Sequence, residues 1–446
     1  MAILIHNVAE LQAMNNDLFG EYELANDIDA TETITWNGGA GFIPIGKEFN
    51  NFMGKFNGKG HKITNLYINA TVPFVGLFGC VVGMLSGPLD RVIIRDVELV
   101  NPTVITACNQ TLYCGALCGG SGYTWFINCR VTNGTIQADI TSAPAGKTLT
   151  IGGLIGSTSL ACKIVSCSAE ASVEAIATGT NYNVYAGGLV GNVYDSSILP
   201  ETCIMNCYSL GTISSDSSSS GCILGGLSGN ISGCSTVYLC YSKTDIVNTY
   251  TDTLCGGFVG RFIASVADRC FSTGKLTGLG GGGGFVGWVT DDGAGHLSTV
   301  TNCFSRGDGL LEHSAGFVLM VTSGTIENCY STGIGRINNP PFIYVTGFCF
   351  NNVGGTLTHC YWDIITSLCG MSIGGGTGLS TSLMKQQSSF TGWDFISIWE
   401  LGAENDGYCY LRADVDMVNE MTLDAVVDEL NDLDYTKILD LNKLGV

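Results

Sequence analysis

"GGLVG" at Gly187–Gly191 is followed by "NCYS" at Asn206–Ser209, and both strings recur along the chain. The first appears as VGLFG (75–79), CGALCG (114–119), GGLIG (152–156), GGLVG (187–191) and GGLSG (225–229). It continues as GGFVG (256–260 and 283–287), AGFVL (315–319) and TGFCF (346–350), with successive copies 27 to 39 residues apart. The second string carries a cysteine at Cys129, Cys167, Cys207, Cys240, Cys270, Cys303, Cys329 and Cys360. Three residues before it stand Phe126, Ile164, Ile204, Val237, Ala267, Val300, Ile326 and Leu357, all apolar. Immediately before it stands Asn in four copies, at Asn128, Asn206, Asn302 and Asn328.

An offset of three places two residues on opposite faces of a flat strand, so both point inward only if the chain bends between them. Asn tolerates left-handed backbone angles and suits that bend. The repeat glycines Gly76, Gly153, Gly188, Gly226, Gly257 and Gly284 permit a tight corner and close backbone approach. A unit of short strands joined by bends, repeated at a period of about 30 without helical patterning, is one coil of a β-solenoid. The fold class is therefore all-β, a parallel β-helix of about nine to eleven coils. Coils spaced about 4.8 Å apart stack Leu on Leu and Cys on Cys in a rod roughly 50 Å long. A β-propeller is the alternative, but its blades need about 40 residues of antiparallel hairpin.

The ends depart from the repeat. Residues 1–21 read as an N-terminal cap, with Asn7 and Glu10 predicting a capped short helix over 8–16 that covers the open strand edge. The β-helix proper spans 22–360. Residues 361–412 form a closing segment, and 413–446 form an acidic tail. Apolar spacing at Leu423, Val426, Val427, Leu430 and Leu433 predicts a helix there, which docks on its own rod or clasps another subunit.

These phrases resemble GLUG repeats, found in bacterial surface proteins that include immunoglobulin A-cleaving metalloproteases and filamentous haemagglutinin-like adhesins. The lead-in YELANDIDA…WNGGAGFIPIG…GKFNGKGHKITNLYI (22–68) and the closing YWDIITS…GTGLSTSLMKQQSSFTGWDF (361–395) are similar to the flanks of such arrays. The resemblance covers about 22–400 and implies a right-handed parallel β-helix serving as scaffold or adhesive surface.

Composition agrees with β-structure: 62 of 446 residues are Gly, and only 13% are charged. The formal net charge of −20 repels nucleic acid and anionic lipid, so neither is an expected partner. No run of about 18 apolar residues occurs, so no membrane insertion is expected. Residues 1–20 lack a basic n-region, an apolar core of signal length and a small-residue cleavage site. The expectation is a cytoplasmic protein, or one that leaves by a route without a cleaved leader, such as assembly into a virus particle.

Twenty cysteines would suggest disulfides in a secreted chain, yet eight occupy one inward repeat position and read as a reduced ladder of small apolar fillers. Stacked side chains pointing the same way pair poorly. No C-x-x-C occurs, and His6, His61, His296, His313 and His359 are scattered, so no metal or cofactor is expected. Asp90 with Asp96, on adjacent arms around Arg91 and Arg95, and the loop Asp291, Asp292, His296, which also reads as a calcium or turn loop, are the carboxylate groupings weighed for glycan cleavage, with turns and surface ion pairs as the simpler account. Asp363 and Asp394 read as structural, and SSDSSSSG (214–221) as a polar linker. Tyr113, Tyr123, Trp125, Tyr182, Tyr185 and Tyr194 are the candidates for stacking on sugar rings or a receptor.

These features describe a non-enzymatic structural or receptor-binding rod: a phage tail fibre, spike or other virion adhesin. It would contact a host surface glycan or protein and join other virion or surface proteins through one end, with a homotrimer as one assembly. The alternatives are a bacterial surface or secreted adhesin, and a polysaccharide-cleaving β-helix enzyme.

Overall fold

The computed structural model describes residues 2–84, 91–141, 143–178, 181–195, 202–217, 221–334 and 345–412. The acidic tail predicted as a helix, 413–446, lies outside the described residues. The chain divides into two compact units, Met1–Trp393 and Asp394–Val446.

The first unit is a parallel β-helix. Among the described residues its strands form four sheets of twelve, sixteen, nine and nine strands, and every strand pairing between named strands of these sheets is parallel. One coil runs through the sheets in turn. In the coil of residues 203–232, the strands are Cys203–Met205 on face one, Tyr208–Ser217 on face two, Gly221–Gly225 on face three and Ser228–Ser232 on face four. Nine coils carry all four faces, from Lys55–Asn57 to Cys349–Asn352. Partial coils flank them at Ile3–Ile5, Glu21–Asp29 and Thr356–Leu379. This coil-on-coil pairing excludes a propeller, whose blades pair antiparallel within themselves.

The NC phrase is the corner between faces one and two. The residue before each of the eight cysteines is left-handed, with φ of +50° to +54°, at Asn128, Ser166, Asn206, Leu239, Arg269, Asn302, Asn328 and His359 alike. That bend turns both apolar positions inward. Phe126, Ile164, Ile204, Val237, Ala267, Val300 and Ile326 stack in register and are buried. The cysteines beside them are also buried. Each thiol donates to the carbonyl two residues earlier at 2.9 to 3.4 Å. Between coils, the backbone N–H of Cys129, Cys167, Cys207, Cys270 and Cys303 donates to the next sulfur at 3.3 to 3.4 Å. All twenty cysteines are free thiols.

The GGLVG phrase is the corner between faces three and four. Leu77, Leu117, Leu154, Leu189 and Leu227 fill the interior there, and Phe258, Phe285, Phe317 and Phe348 replace them in the last four coils. Those rings stack at 4.7, 4.8 and 4.7 Å between centroids. The second glycine serves close approach and needs no left-handed backbone. A Cβ on Gly188 would lie 2.3 Å from the Gly226 carbonyl oxygen, and one on Gly257 would lie 2.0 Å from that of Gly284. The two phrases also meet across the coil. The buried hydroxyls of Ser209, Ser272 and Ser331 donate to the carbonyls of Gly226, Gly284 and Gly347 at 2.7, 2.6 and 2.7 Å. Each bridge satisfies a buried polar pair, worth about 1 kcal/mol net and more to leave broken.

At the N-terminus, the Asn7 side chain accepts from the Glu10 N–H at 2.9 Å, while Glu10 accepts from the His6 N–H at 2.7 Å. This reciprocal cap starts a helix at Val8–Ala13, shorter than the sequence predicts because Met14–Asn16 tighten into a 3₁₀ turn. Val8, Leu11 and Met14 are buried beneath it. At the other end of this unit, Phe390 and Trp393 pack on Tyr361, and Trp393 reaches Tyr330. Within the stretch 214–221, residues 214–217 depart from its reading as a linker. Ser214–Ser217 complete a ten-residue strand paired on both sides, with Ser215 and Ser217 buried.

The second unit, as far as described, is an antiparallel pair, Trp399–Leu401 with Cys409–Leu411, braced by Arg412 against Glu400 at 3.5 Å.

Candidate functional site

Face four positions a large cleft that draws together several residues singled out from the sequence. Its outward positions fall into columns fixed by strand register. Asn192, Asn230, Arg261 and Trp288 form one column, and Tyr194, Ser232, Ile263 and Thr290 the next. Small Ser232 and Gly233 lie between the larger Tyr194 and the loop after Thr290, and that difference in size opens a cleft of about 680 Å³. Its walls include Tyr185, Asp195, Asp291, Asp292 and His296.

The floor is a ladder of hydrogen-bonded side chains from three successive coils. Asn230 Nδ2 donates to Asn192 Oδ1 at 2.9 Å and to Ser232 Oγ at 3.2 Å. Arg261 Nε donates to Asn230 Oδ1 at 2.9 Å, and its Nη2 to the Tyr185 hydroxyl at 3.3 Å. The guanidinium also stands 5.7 Å from the centroid of the Tyr185 ring, a cation–π distance. These partners hold the groups in place before any ligand arrives, which lowers the ordering cost of binding.

The carboxylates on the walls are occupied in different ways. Asp195 is buried, and its Oδ2 accepts from the Thr202 hydroxyl at 2.7 Å and from the N–H groups of Thr202 and Ala161. In the loop, Asp292 accepts from the His296 ring at 2.6 Å and from the N–H groups of Ala294 and His296, while Asp291 accepts from Gly293 N–H. The His296 hydrogen bond comes first among the causes that hold Asp292 down at about 2. Asp292 is thus a carboxylate, and not a proton donor, near neutral pH. That state suits accepting hydrogen bonds from hydroxyls and does not suit the general acid of a glycosidase, which needs a raised pKa.

The other residues singled out from the sequence fall elsewhere. Tyr113 stacks on Phe74 at 4.6 Å, and Tyr123 lies under Arg91 at 5.2 Å. Trp125 is buried beneath the Lys163 ammonium at 4.7 Å, and Tyr182 is buried with its hydroxyl donating to the Ala143 carbonyl. Trp125 and Tyr182 therefore pack against the neighbouring coil and present no ring face to a ligand. Only Tyr185 and Tyr194 reach the cleft, with Tyr194 at 52% exposure. Asp90 lies outside the described residues, while Asp96 is a left-handed corner residue accepting from Asn128 at 2.8 Å. Asp363 accepts from the N–H groups of Ile365 and Thr366, and Asp394 from those of Ile396 and Ser397. Of the histidines, His6, His61 and His359 pair with Glu10, Asp27 and Glu327, and His313 lies against Phe350.

Sequence reasoning missed Asn192, Asn230 and Arg261, which come together only once the register is known. It also missed an outward aromatic column directly after the cysteines, although Tyr208 stood inside the quoted NCYS and the others follow the numbered cysteines. Tyr208, Tyr241, Phe271, Phe304 and Tyr330 stack face to face at 4.8 to 5.1 Å. Stacking occupies both ring faces of Tyr241, Phe271 and Phe304, so these inner rings brace one another rather than offering a stacking platform.

No protein-family profile matches the chain. It is 31% identical over 180 residues to a halomucin of Haloquadratum walsbyi, covering 38% of this chain and 2% of that protein. It is 36% identical over 122 residues to a candidate Gly-rich membrane protein of Evansella cellulosilytica, covering 26% and 13%. To an immunoglobulin A1 protease of Streptococcus sanguinis it is 26% identical over 219 residues, covering 46% and 11%. The chain thus spans a small part of each curated relative. Among solved structures, a candidate immunoglobulin A1 protease from Bacteroides ovatus aligns over 92% of both chains, at 15% identity and a TM-score of 0.37. The chain is a parallel β-helix whose repeats resemble the GLUG type, and it is similar in sequence, over part of its length, to a segment of an immunoglobulin A1 protease.

Proposed function

We propose that this chain is a non-enzymatic binding β-helix of a cell-surface or secreted protein, and that the face-four cleft contacts a surface saccharide. The observation that carries the reading is the preset polar floor, Asn192–Asn230–Arg261–Tyr185, beside an exposed Tyr194 ring. Side-chain amides, a carboxylate acceptor and an aromatic ring are the groups that recognise hydroxyls and the apolar faces of sugars. The names of the relatives, a mucin-type protein, a membrane protein and an immunoglobulin protease, favour a cell surface or the medium over the virion expected from the sequence. The occupied carboxylates favour binding over cleavage.

A glycan array probed with the full chain tests this. Binding to a defined saccharide that is lost in Tyr194→Ala and Asn230→Ala supports the reading. Shortened glycan products after incubation would replace it with an enzyme, and binding that survives both substitutions would move the site elsewhere. Mass spectrometry of host envelope and culture medium against purified virions decides the location.

A further inference from the structure

Arg261 is an unusual group in this cleft. The protein carries a net charge of −20, and Asp195, Asp291 and Asp292 line the same cleft. Yet no described Asp or Glu oxygen lies within ion-pairing distance of Arg261, whose partners are the neutral Asn230 amide oxygen, the neutral Tyr185 hydroxyl and the Tyr185 ring. Other cations of the outer faces pair with acids, as in Lys55–Glu21 at 3.0 Å and Lys62–Glu98 at 3.3 Å, while Lys243, like Arg261, stands over a tyrosine ring. Two of the five guanidinium N–H donors are used, which leaves three on Nη1 and Nη2. The cation is held in position by groups that do not neutralise it.

We infer that the cleft takes an acidic saccharide, and that Arg261 receives a sugar carboxylate of the uronic-acid type. This rests on the saccharide reading above and adds the charge of the ligand to it. The planar fork matches a carboxylate with two parallel N–H···O bonds, which a lysine or a neutral donor cannot reproduce. The Asn230–Asn192 ladder continues from Arg261 along the coil axis at the spacing of successive coils, about 4.8 Å; buried Asn230 spends both N–H groups on Asn192 and Ser232 and positions the ladder, so a hydroxyl flanking the carboxylate meets Asn192. The Asp291–Asp292 loop, on the coil after that of Arg261, lines the same cleft, so a second negative group beside it meets like charge and the site takes a single carboxylate.

The test uses the full chain, hyaluronan oligosaccharides, and the same oligosaccharides with each carboxyl reduced to a hydroxymethyl group, measured by isothermal titration calorimetry. The wild type is expected to bind the acidic form roughly ten- to a hundredfold more tightly than the reduced form, the worth of one charge-assisted fork. Arg261→Gln should remove that preference, Arg261→Lys should restore only part of it, and Tyr194→Ala should weaken both forms together. Circular dichroism of each variant checks that the coils persist, and the reduced ligand tests the wild type without any substitution. Equal binding of the two forms by the wild type, lost together in Tyr194→Ala, overturns the acidic assignment and leaves the saccharide reading standing. No binding of either form overturns the acidic assignment for this ligand class. A glycan array without any cleft-dependent saccharide overturns the reading beneath it.

Discussion

Adding one methyl group at Gly226 sets the close approach of coils against the preference of strands for side chains. A Cβ there would lie 2.0 Å from the Gly257 carbonyl oxygen and 2.2 Å from Ser242 Oγ. An ordinary contact is near 3.4 Å, so the next corner must retreat by more than about 1 Å in an interior packed to crystal density. Among the hydrogen bonds at that corner are Gly226 N–H to Gly256 at 3.0 Å, Leu227 N–H to Phe258 at 2.7 Å, and the Ser209 hydroxyl to Gly226 at 2.7 Å. Overpacking costs about 1–3 kcal/mol, and a buried hydroxyl that loses its acceptor about 1–3 more, so Gly226→Ala should destabilise by about 2–6 kcal/mol. Gly122→Ala is the matched control, since its nearest neighbours would lie at 3.4 Å and its backbone is not left-handed; there the change should stay within about 1 kcal/mol. Urea unfolding followed by far-UV circular dichroism compares the two, and hydrogen exchange at 225–229 and 256–260 locates the damage. A solenoid need not unfold in one step, so the local exchange decides. Equal effects of the two substitutions would refute close approach as the reason for the second glycine.

Other predictions follow from the corners and the loop. Leu239, left-handed at φ +53°, should tolerate Asn better than Leu, so Leu239→Asn should raise the urea midpoint by an amount equivalent to about 1 kcal/mol, and a lowered midpoint would count against the corner account. Burial raises the thiols, Cys162 and Cys222 to about 11 and Cys203 to about 12. Dithionitrobenzoate at pH 8 should therefore label the folded chain slowly, with half-buried Cys234 among the first to react and all twenty thiols titrating after denaturation; a midpoint shifted by dithiothreitol would reveal disulfides. Asp292 is depressed, so its stabilising pairing with His296 is fully present above pH about 4 and lost as pH falls through about 2. Amide exchange of residues 291–297 should rise in that window for the wild type, and His296→Ala should move its onset to higher pH.

Much of the fold was legible because every coil must fill the same few positions. Cys207 and Ile204 recur three residues apart, and only a bend between them puts both inside. The reading stopped at Asn as the bending residue, whereas Leu239, Arg269 and His359 hold the same angle, because backbone pairing along the ladder fixes it even for side chains that disfavour it. The Ser209–Gly226 bridge was not legible, since nothing in the spacing of two phrases shows that their ends meet across the interior. The cleft was half legible. Tyr185 and Tyr194 stood out as aromatics, but Asn192, Asn230 and Arg261 are separated by 38 and 31 residues and become neighbours only through register.

The change from leucine to phenylalanine at the corner, between Leu227 and Phe258, divides the array into two blocks whose units are not interchangeable. Unequal recombination between repeats is the simple route by which such genes lengthen or shorten. A duplication confined to the phenylalanine block would extend a continuous pile of rings, whereas one joining units across the boundary would strand a ring against aliphatic neighbours and open a void. Gain and loss of units should therefore be tolerated within each block and selected against across the seam, so that natural variants differ in the number of units on either side while the junction persists.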